Sequence, residues 1–327
     1  MSSVGEELRE IYLTRGIVNI PFSLITAIPN ALVLFLFRKD PNRTIRSSPA
    51  NILIANLAFI DFLVGALMQP IAAFWFLRAS LLNSPPFESR HLQTMEALLL
   101  LLSLSSVLAI STDRYVGVTS PLLYTSKITK RKVRVGISFL WFYCMGLITS
   151  LQFFGKDYIR NIIFCIHIDL VLIVTIFMFI FVIYYLRVEA RKLVKMDVSN
   201  YMITMTQKRH LKVTRTLSAV LGLFLLCCVP WVTALQVSPL CRICKKHPTT
   251  FIWIVKMFFL IFQINCALNA FVGAFRLPRY RQALRNMFPS LQRKFSFSSL
   301  SASPLPSNMA VAKRVKTKLP SFGHSRI

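Results

Sequence analysis

The chain has 327 residues, with 39 Lys+Arg against 12 Asp+Glu and a formal net charge of +27. Its hydrophobic content of 55% and mean hydropathy of +0.58 exclude an ordinary soluble domain, where about 45–50% apolar is usual. The charge alone would suit nucleic acid, but the basic residues fall between long apolar runs rather than on one soluble face, so no nucleic-acid partner is expected.

The apolar runs come in chain order at about 16–37, 51–77, 92–112, 133–154, 162–186, 213–236 and 250–275. Each is near or above the ~20 residues needed to cross a ~30 Å hydrocarbon core. They are continuous rather than alternating, which selects helices over a closed barrel. The expected fold is an all-α membrane protein, a seven-transmembrane helix bundle over 16–276 in a lipid bilayer. Residues 1–15 are expected as a short extracellular N-terminus; Glu6, Glu7 and Glu10 beside Arg9 give it the wrong charge for a cleavable signal. After the seventh run, Leu277-Pro278 interrupts the chain. Tyr280, Ala283, Leu284, Met287 and Phe288 with interspersed Arg then predict a short amphipathic surface helix over 277–288. The Ser-, Pro- and Lys-rich tail 289–327 reads as disordered.

Alternate connections differ in charge. Four Lys+Arg fall in 38–46, six in 114–134, eight in 187–215 and eleven in 276–326, whereas the opposite side holds ten. The positive-inside bias places the richer side in the cytoplasm, the N-terminus outside and the C-terminus inside. The segment 187–212 is expected to extend the fifth and sixth helices, and the second outer loop, roughly Gly155 to Asn161, is very short. Of seven cysteines, Cys144, Cys165, Cys227, Cys228 and Cys266 fall in or near spans and act as small hydrophobes. Cys241 and Cys244, in the third outer loop, fit either a local disulfide or a helix-end turn with two free thiols.

Ionisable residues inside spans cost several kcal/mol and mark functional sites by default. Asp61, Glu96 and Asp169 qualify. At ~1.5 Å per residue, Ser103 lies ~16 Å outward of Arg114, and Asp61 and Asn265 reach a similar depth, with Asn269 one turn below. This layer can hold a small cation, most simply Na⁺, or a water network that merely satisfies Asp61. Glu96 and Asp169 lie in the outer third, where they suit a cationic ligand group or pairing with Lys256, His167 or loop arginines. Asp113-Arg114 ends the third span at the cytoplasmic face, where the pair can hold the inner end closed.

Taken together, these residues resemble a rhodopsin-like G-protein-coupled receptor over about 17–290. Asn30 with Val33, Leu57-Ala58-x-x-Asp61, Asp113-Arg114-Tyr115 with Val118 and Pro121-Leu122, Trp141, Tyr185-Leu186-Arg187-Val188, Phe224 with Cys227 and Pro230, and Leu268-Asn269 follow the family's order on seven spans. The resemblance implies an extracellular ligand, a heterotrimeric G protein and arrestin as partners at the plasma membrane, and no enzymatic activity. It implies G-protein coupling through Asp113, Arg114, Tyr115, Pro121, Leu122 and Tyr185. It implies a sodium site at Asp61, Ser103, Asn265 and Asn269, with Na⁺ as an allosteric ion, and a ligand pocket including Glu96, Asp169, Gln263 and Cys228. Phe224 and Pro230 would form the activation hinge, since a mid-helix proline removes a backbone bond and kinks the helix.

The departures from the family pattern are specific. Ser89 stands where the third-helix cysteine is expected and Phe177 where the fifth-helix proline is. With the short outer loop, these losses resemble the melanocortin, lysophospholipid, cannabinoid and adenosine receptor cluster, whereas Glu96 looks more like amine receptors. Cys228 replaces the sixth-helix tryptophan, Ala270 and Gly273 replace the proline and tyrosine after Asn269, and His210 replaces the acid that faces Arg114. These changes leave a decoy that binds without signalling as the alternative. A light receptor is excluded because Gln263 stands where a retinal-bearing lysine is needed. A transporter or channel would show repeats or paired broken helices, and neither is visible.

Overall fold

A segment crossing hydrocarbon must pair its own N–H and C=O groups, and each apolar run does so as a helix. The computed structural model describes residues 3–40, 45–82, 90–120, 124, 126, 128–154, 157–195, 201–237, 248–276, 280 and 282–283. Among them stand seven long helices: the first at Ser3–Lys39, the second at Pro49–Leu82, the third at Arg90–Thr119, the fourth at Lys130–Phe154, the fifth at Asp157–Lys195, the sixth at Tyr201–Val237 and the seventh at Pro248–Arg276. Six are long and apolar enough to cross a membrane, and the sixth contributes a shorter apolar stretch, Leu221–Val237.

One boundary differs from the sequence reading. The first helix starts at Ser3, so residues 3–15 are not a separate N-terminal segment. Arg9 Nε donates to the Ser80 carbonyl at 3.2 Å and Ile11 is fully buried, so packing against the second helix carries the helix past its apolar run. The fifth and sixth helices extend to Lys195 and from Tyr201, which matches the expected extensions. Of the surface helix at 277–288, only Tyr280, Gln282 and Ala283 are described. They are helical, with Tyr280 and Ala283 buried. The rest of that segment and the tail 289–327 lie outside the described residues, as do Ser89, Pro121, Leu122, Cys241 and Cys244.

The second helix begins with Pro49 after an extended Ser48 (ψ 128°), where the missing proline N–H costs nothing. Pro70 cannot donate back to Ala66. The chain answers with a wider π turn over Val64–Met68, in which the Gln69 N–H reaches the Val64 carbonyl.

The first helix packs on the second and seventh; the third packs on the second, fourth and fifth; the sixth packs on the fifth and seventh. One apolar core joins Leu57, Leu104, Val107, Ile168, Phe224 and Phe262 across five helices. A second joins Ile60, Leu101, Leu102 and Ile148 across the second, third and fourth. Polar staples cross the same seams. Asn30 Nδ2 donates to the Thr26 and Cys266 carbonyls. Trp141 Nε1 donates to Asn56 Oδ1, whose Nδ2 donates to Ser106 Oγ, each at 2.9 Å. The outward faces are apolar, with Phe139 and Phe142 more than 70% exposed, which suits hydrocarbon.

The first and second helices touch backbone to backbone at Gly65, where an added Cβ would fall 2.6 Å from the Ala27 nitrogen. Gly65→Val is expected to cost about 1–3 kcal/mol by overpacking. In a thermal-shift assay of purified protein this reads as a lowered Tm, and an unchanged Tm would show that the contact yields freely.

Candidate functional site

The inner end of the third helix carries the first constellation. Asp113 is buried, and Arg114 pairs with its Oδ2 through Nε, at 2.9 Å, and through Nη2. From the following loop Tyr124 closes over the pair: its hydroxyl donates to Asp113 Oδ1 at 2.9 Å and accepts from Arg114 Nη2 at 3.5 Å. The turn that brings it there is short, with the Tyr124 N–H on the Ser120 carbonyl and the Ser120 N–H on the Val116 carbonyl. Burial first, then the Asp113 charge, pushes the Tyr124 phenol up to about 12.

Tyr115 stacks edge-on against Phe181 of the fifth helix, with centroids 6.1 Å apart, and Tyr185 lies edge-on to its neighbour Tyr184. The backbone of His210 belongs to the sixth helix; its side chain is outside the described residues. The lock expected from the sequence involved only Asp113 and Arg114. Tyr124 was missed, and the available signal was its place one helical turn after Ser120.

The second constellation lies at mid-depth. Asp61 is fully buried, accepts Asn269 Nδ2 on Oδ2 at 3.0 Å, and has the Cys266 thiol within hydrogen-bond reach. Asp61 Oδ1 and Asn265 Oδ1 have no hydrogen-bond partner among the described residues. Ser103 and Asn265 are buried. The donors present are a carboxylate, a hydroxyl and two amides. These are hard oxygens, which suit a small hard cation. The Cys266 thiol does not, and its closeness to Asp61 was not foreseen.

The outer region is less convergent. Glu96 is exposed on the third helix. Asp169 accepts Gln236 Nε2 at 2.7 Å, a tie between the fifth and sixth helices. Gln263 is buried with Oε1 unmatched by any described donor. Cys228 is fully buried in the apolar core beside Phe224 and Trp231, and Trp231 in turn stacks on Phe262 at 4.9 Å. Pro230 lies inside an otherwise unbroken sixth helix. His167, weighed as a partner for the outer acids, instead meets the Tyr143 hydroxyl at 3.4 Å.

A family model described as 7 transmembrane receptor (rhodopsin family) matches residues 29–272. Trace amine-associated receptor 4 of Mus musculus is 25% identical over 270 residues, covering 73% of this chain and 75% of that protein. Trace amine-associated receptor 8b of Rattus norvegicus is 38% identical over 94 residues, or 29% of this chain and 27% of that protein. A melanopsin-like protein of Danio rerio is 31% identical over 134 residues, or 40% of this chain. The matched stretch is 25% of that relative's own length.

The held-down phenol gives a direct check. Its raised ionisation point stabilises the fold below pH 10.0, the ordinary value. That contribution is lost as pH rises through about 12. In an ultraviolet titration, the difference between wild type and Tyr124→Phe should show one phenolate forming near 12; one forming near 10.0 would mean that Tyr124 is not buried against Asp113.

Proposed function

Because the chain belongs to the rhodopsin family of seven-transmembrane receptors, we propose that it passes an extracellular chemical signal to a heterotrimeric G protein. It is a multi-pass membrane receptor, and family membership makes it a receptor rather than an enzyme. In this reading it sits in the plasma membrane with its N-terminus outside, and its inner face serves the G protein and then arrestin. The observation that carries the reading is the Asp113–Arg114–Tyr124 closure at the inner end of the third helix. A buried carboxylate and a phenol hold the guanidinium flat against its own helix, and its release would offer a cation to a partner. An agonist acts by binding the released arrangement more tightly than the closed one.

Arg114→Ala is expected to bring basal and ligand-evoked cAMP or calcium signals to background. Tyr124→Phe removes from the closed form the 2.9 Å hydrogen bond to Asp113, the stronger of its two, and the long 3.5 Å one from Arg114. At about 1 kcal/mol, that should raise basal signalling about fivefold. If no G-protein class gives a signal that depends on Arg114, the decoy reading replaces this one.

Support for sodium at Asp61 comes from the unmatched carboxylate oxygen and the Asn269 amide beside it, with Ser103 and Asn265 buried on the neighbouring third and seventh helices. Bound there, a cation would neutralise Asp61 and hold the third and seventh helices to the second, favouring the resting form. The Tm of purified receptor should rise in NaCl relative to choline chloride. Asp61→Asn should lose that rise, and an equal rise in the variant would sink the assignment.

The ligand is proposed to carry a cationic group that meets Glu96. The relatives whose names place them among trace amine-associated receptors support this choice, and a cationic peptide would satisfy the same chemistry. Losing a charge-assisted bond costs about 1.5–3 kcal/mol, so Glu96→Gln should cut the potency of a cationic agonist about tenfold to hundredfold. Unchanged potency would place the cation elsewhere.

A further inference from the structure

One donor beside Asp61 has no use in a sodium site. Cys266 of the seventh helix is 4% exposed, and its thiol lies within hydrogen-bond reach of the Asp61 side chain of the second helix. Asp61 is itself fully buried. Asn269 shares a face with Cys266 by its three-residue spacing and donates Nδ2 to Asp61 Oδ2 at 3.0 Å. Asp61 Oδ1 is left without a hydrogen-bond partner among the described residues. A sulfur, an open carboxylate oxygen and an amide therefore meet between the second and seventh helices. The sulfur is also supported from behind. Asn30 of the first helix donates Nδ2 to the Cys266 carbonyl at 3.1 Å and to the Thr26 carbonyl at 2.9 Å. That tie fixes the seventh-helix backbone at the turn that presents Cys266 to Asp61. Metal sites depend on such outer supports, whose loss typically costs about 10–100-fold in affinity.

The donors select the ion. Thiolate sulfur favours thiophilic ions such as Zn²⁺, which carboxylate oxygen also binds, whereas Na⁺ and Mg²⁺ gain nothing from sulfur. Charge points the same way, because net charge inside a membrane is expensive. Na⁺ against the Asp61 carboxylate sums to zero and leaves the thiol protonated. A divalent ion needs two negative ligands for the same sum, and Cys266 supplies the second as thiolate. The binding step balances: the metal–sulfur bond forms, the Cys266 S–H bond breaks, and the proton leaves to solvent. Among the described residues no three His, Cys, Asp or Glu side chains converge as a metal-holding group. The remaining positions therefore fall to water and to the Asn269 amide, which presents Oδ1 to the ion after turning about its terminal bond. Such coordination is of the open, water-bearing kind rather than the closed four-residue kind.

We propose that Asp61 and Cys266 form a site for a thiophilic divalent cation of the zinc class, which bridges the second and seventh helices. Zinc and sodium share Asp61 and so exclude one another, but only zinc uses the thiol. The two assignments therefore fail separately: losing the sulfur removes zinc and spares sodium, and losing the carboxylate removes both.

The test uses full-length receptor in nanodiscs, stripped with EDTA, as wild type, Cys266→Ser and Asp61→Asn. Cadmium chloride stands in for zinc, because cadmium bonded to thiolate shows an ultraviolet charge-transfer band. The difference between wild type and Cys266→Ser should contain that band. The two proteins share every other cysteine, including Cys241 and Cys244, so cadmium held elsewhere cancels. Zinc chloride should raise the Tm of wild type, EDTA should reverse the rise, and magnesium chloride should not reproduce it. Cys266→Ser should weaken zinc at least about a hundredfold, the upper end of what an outer support is worth, while its response to NaCl persists. Asp61→Asn should lose both responses. A missing difference band, or an equal zinc response in Cys266→Ser, would overturn the site. Cys266→Ala supplies the same comparison if the serine variant does not fold. A wild type whose Tm ignores sodium would refute the sodium assignment instead, and the cadmium band would still decide the zinc site.

Discussion

Hydrocarbon offers a buried polar group no partner, and the arrangement of this bundle follows from that constraint. Backbone groups are met within each helix, so the only polar atoms free to link helices are side chains. Few of them do so. Asn30 reaches the seventh helix, Asn56 joins the third and fourth, Asn269 reaches Asp61, and Gln236 reaches Asp169. Three of these linking groups, Asn30, Asn56 and Asn269, sit at or below the depth of Asp61. Apolar packing without such directed bonds would leave register loosely fixed, because lipid tails are as apolar as leucine.

The outer half of the sixth helix is held by its neighbours. Near the outside, Gln236 is tied to Asp169 of the fifth helix, and mid-helix Phe224 is fixed in the core. At the inside, the described partners of Arg114 are Asp113 of its own helix and Tyr124 of the next loop. Among the described residues the restraint on Arg114 is therefore local to the third helix and its loop. Closure of that kind stores little energy, because a neighbouring acid and one phenol are cheaper to release than a pair spanning two helices.

Much of this was legible in the residues. Seven apolar runs gave seven helices because hydrophobic length and bilayer thickness are one-dimensional quantities. Asp61 and Asn269 were found together because helical rise converts sequence distance into depth. Two kinds of feature escaped. The helical start at Ser3 depends on Arg9 and Ile11 finding the second helix, which no local pattern announces. The closeness of Tyr124 to Asp113, and of Cys266 to Asp61, depends on rotation about helix axes and on a loop's turn. Spacing within one helix says nothing of those angles. Glu96 shows the same limit from the other side: its depth was readable, but its neighbours across the bundle were not.

The fourth helix ends at Phe154 and the fifth begins at Asp157. Two intervening residues reach at most about 10 Å between the helix ends, too little to fold across the outer opening. In a receptor with a long outer loop, escape of a bound molecule waits on that loop, and residence time is partly the loop's property. Here the link between the fourth and fifth helices is too short to add to the dwell time of an occupant. Changes in affinity should then appear mainly as changes in departure rate.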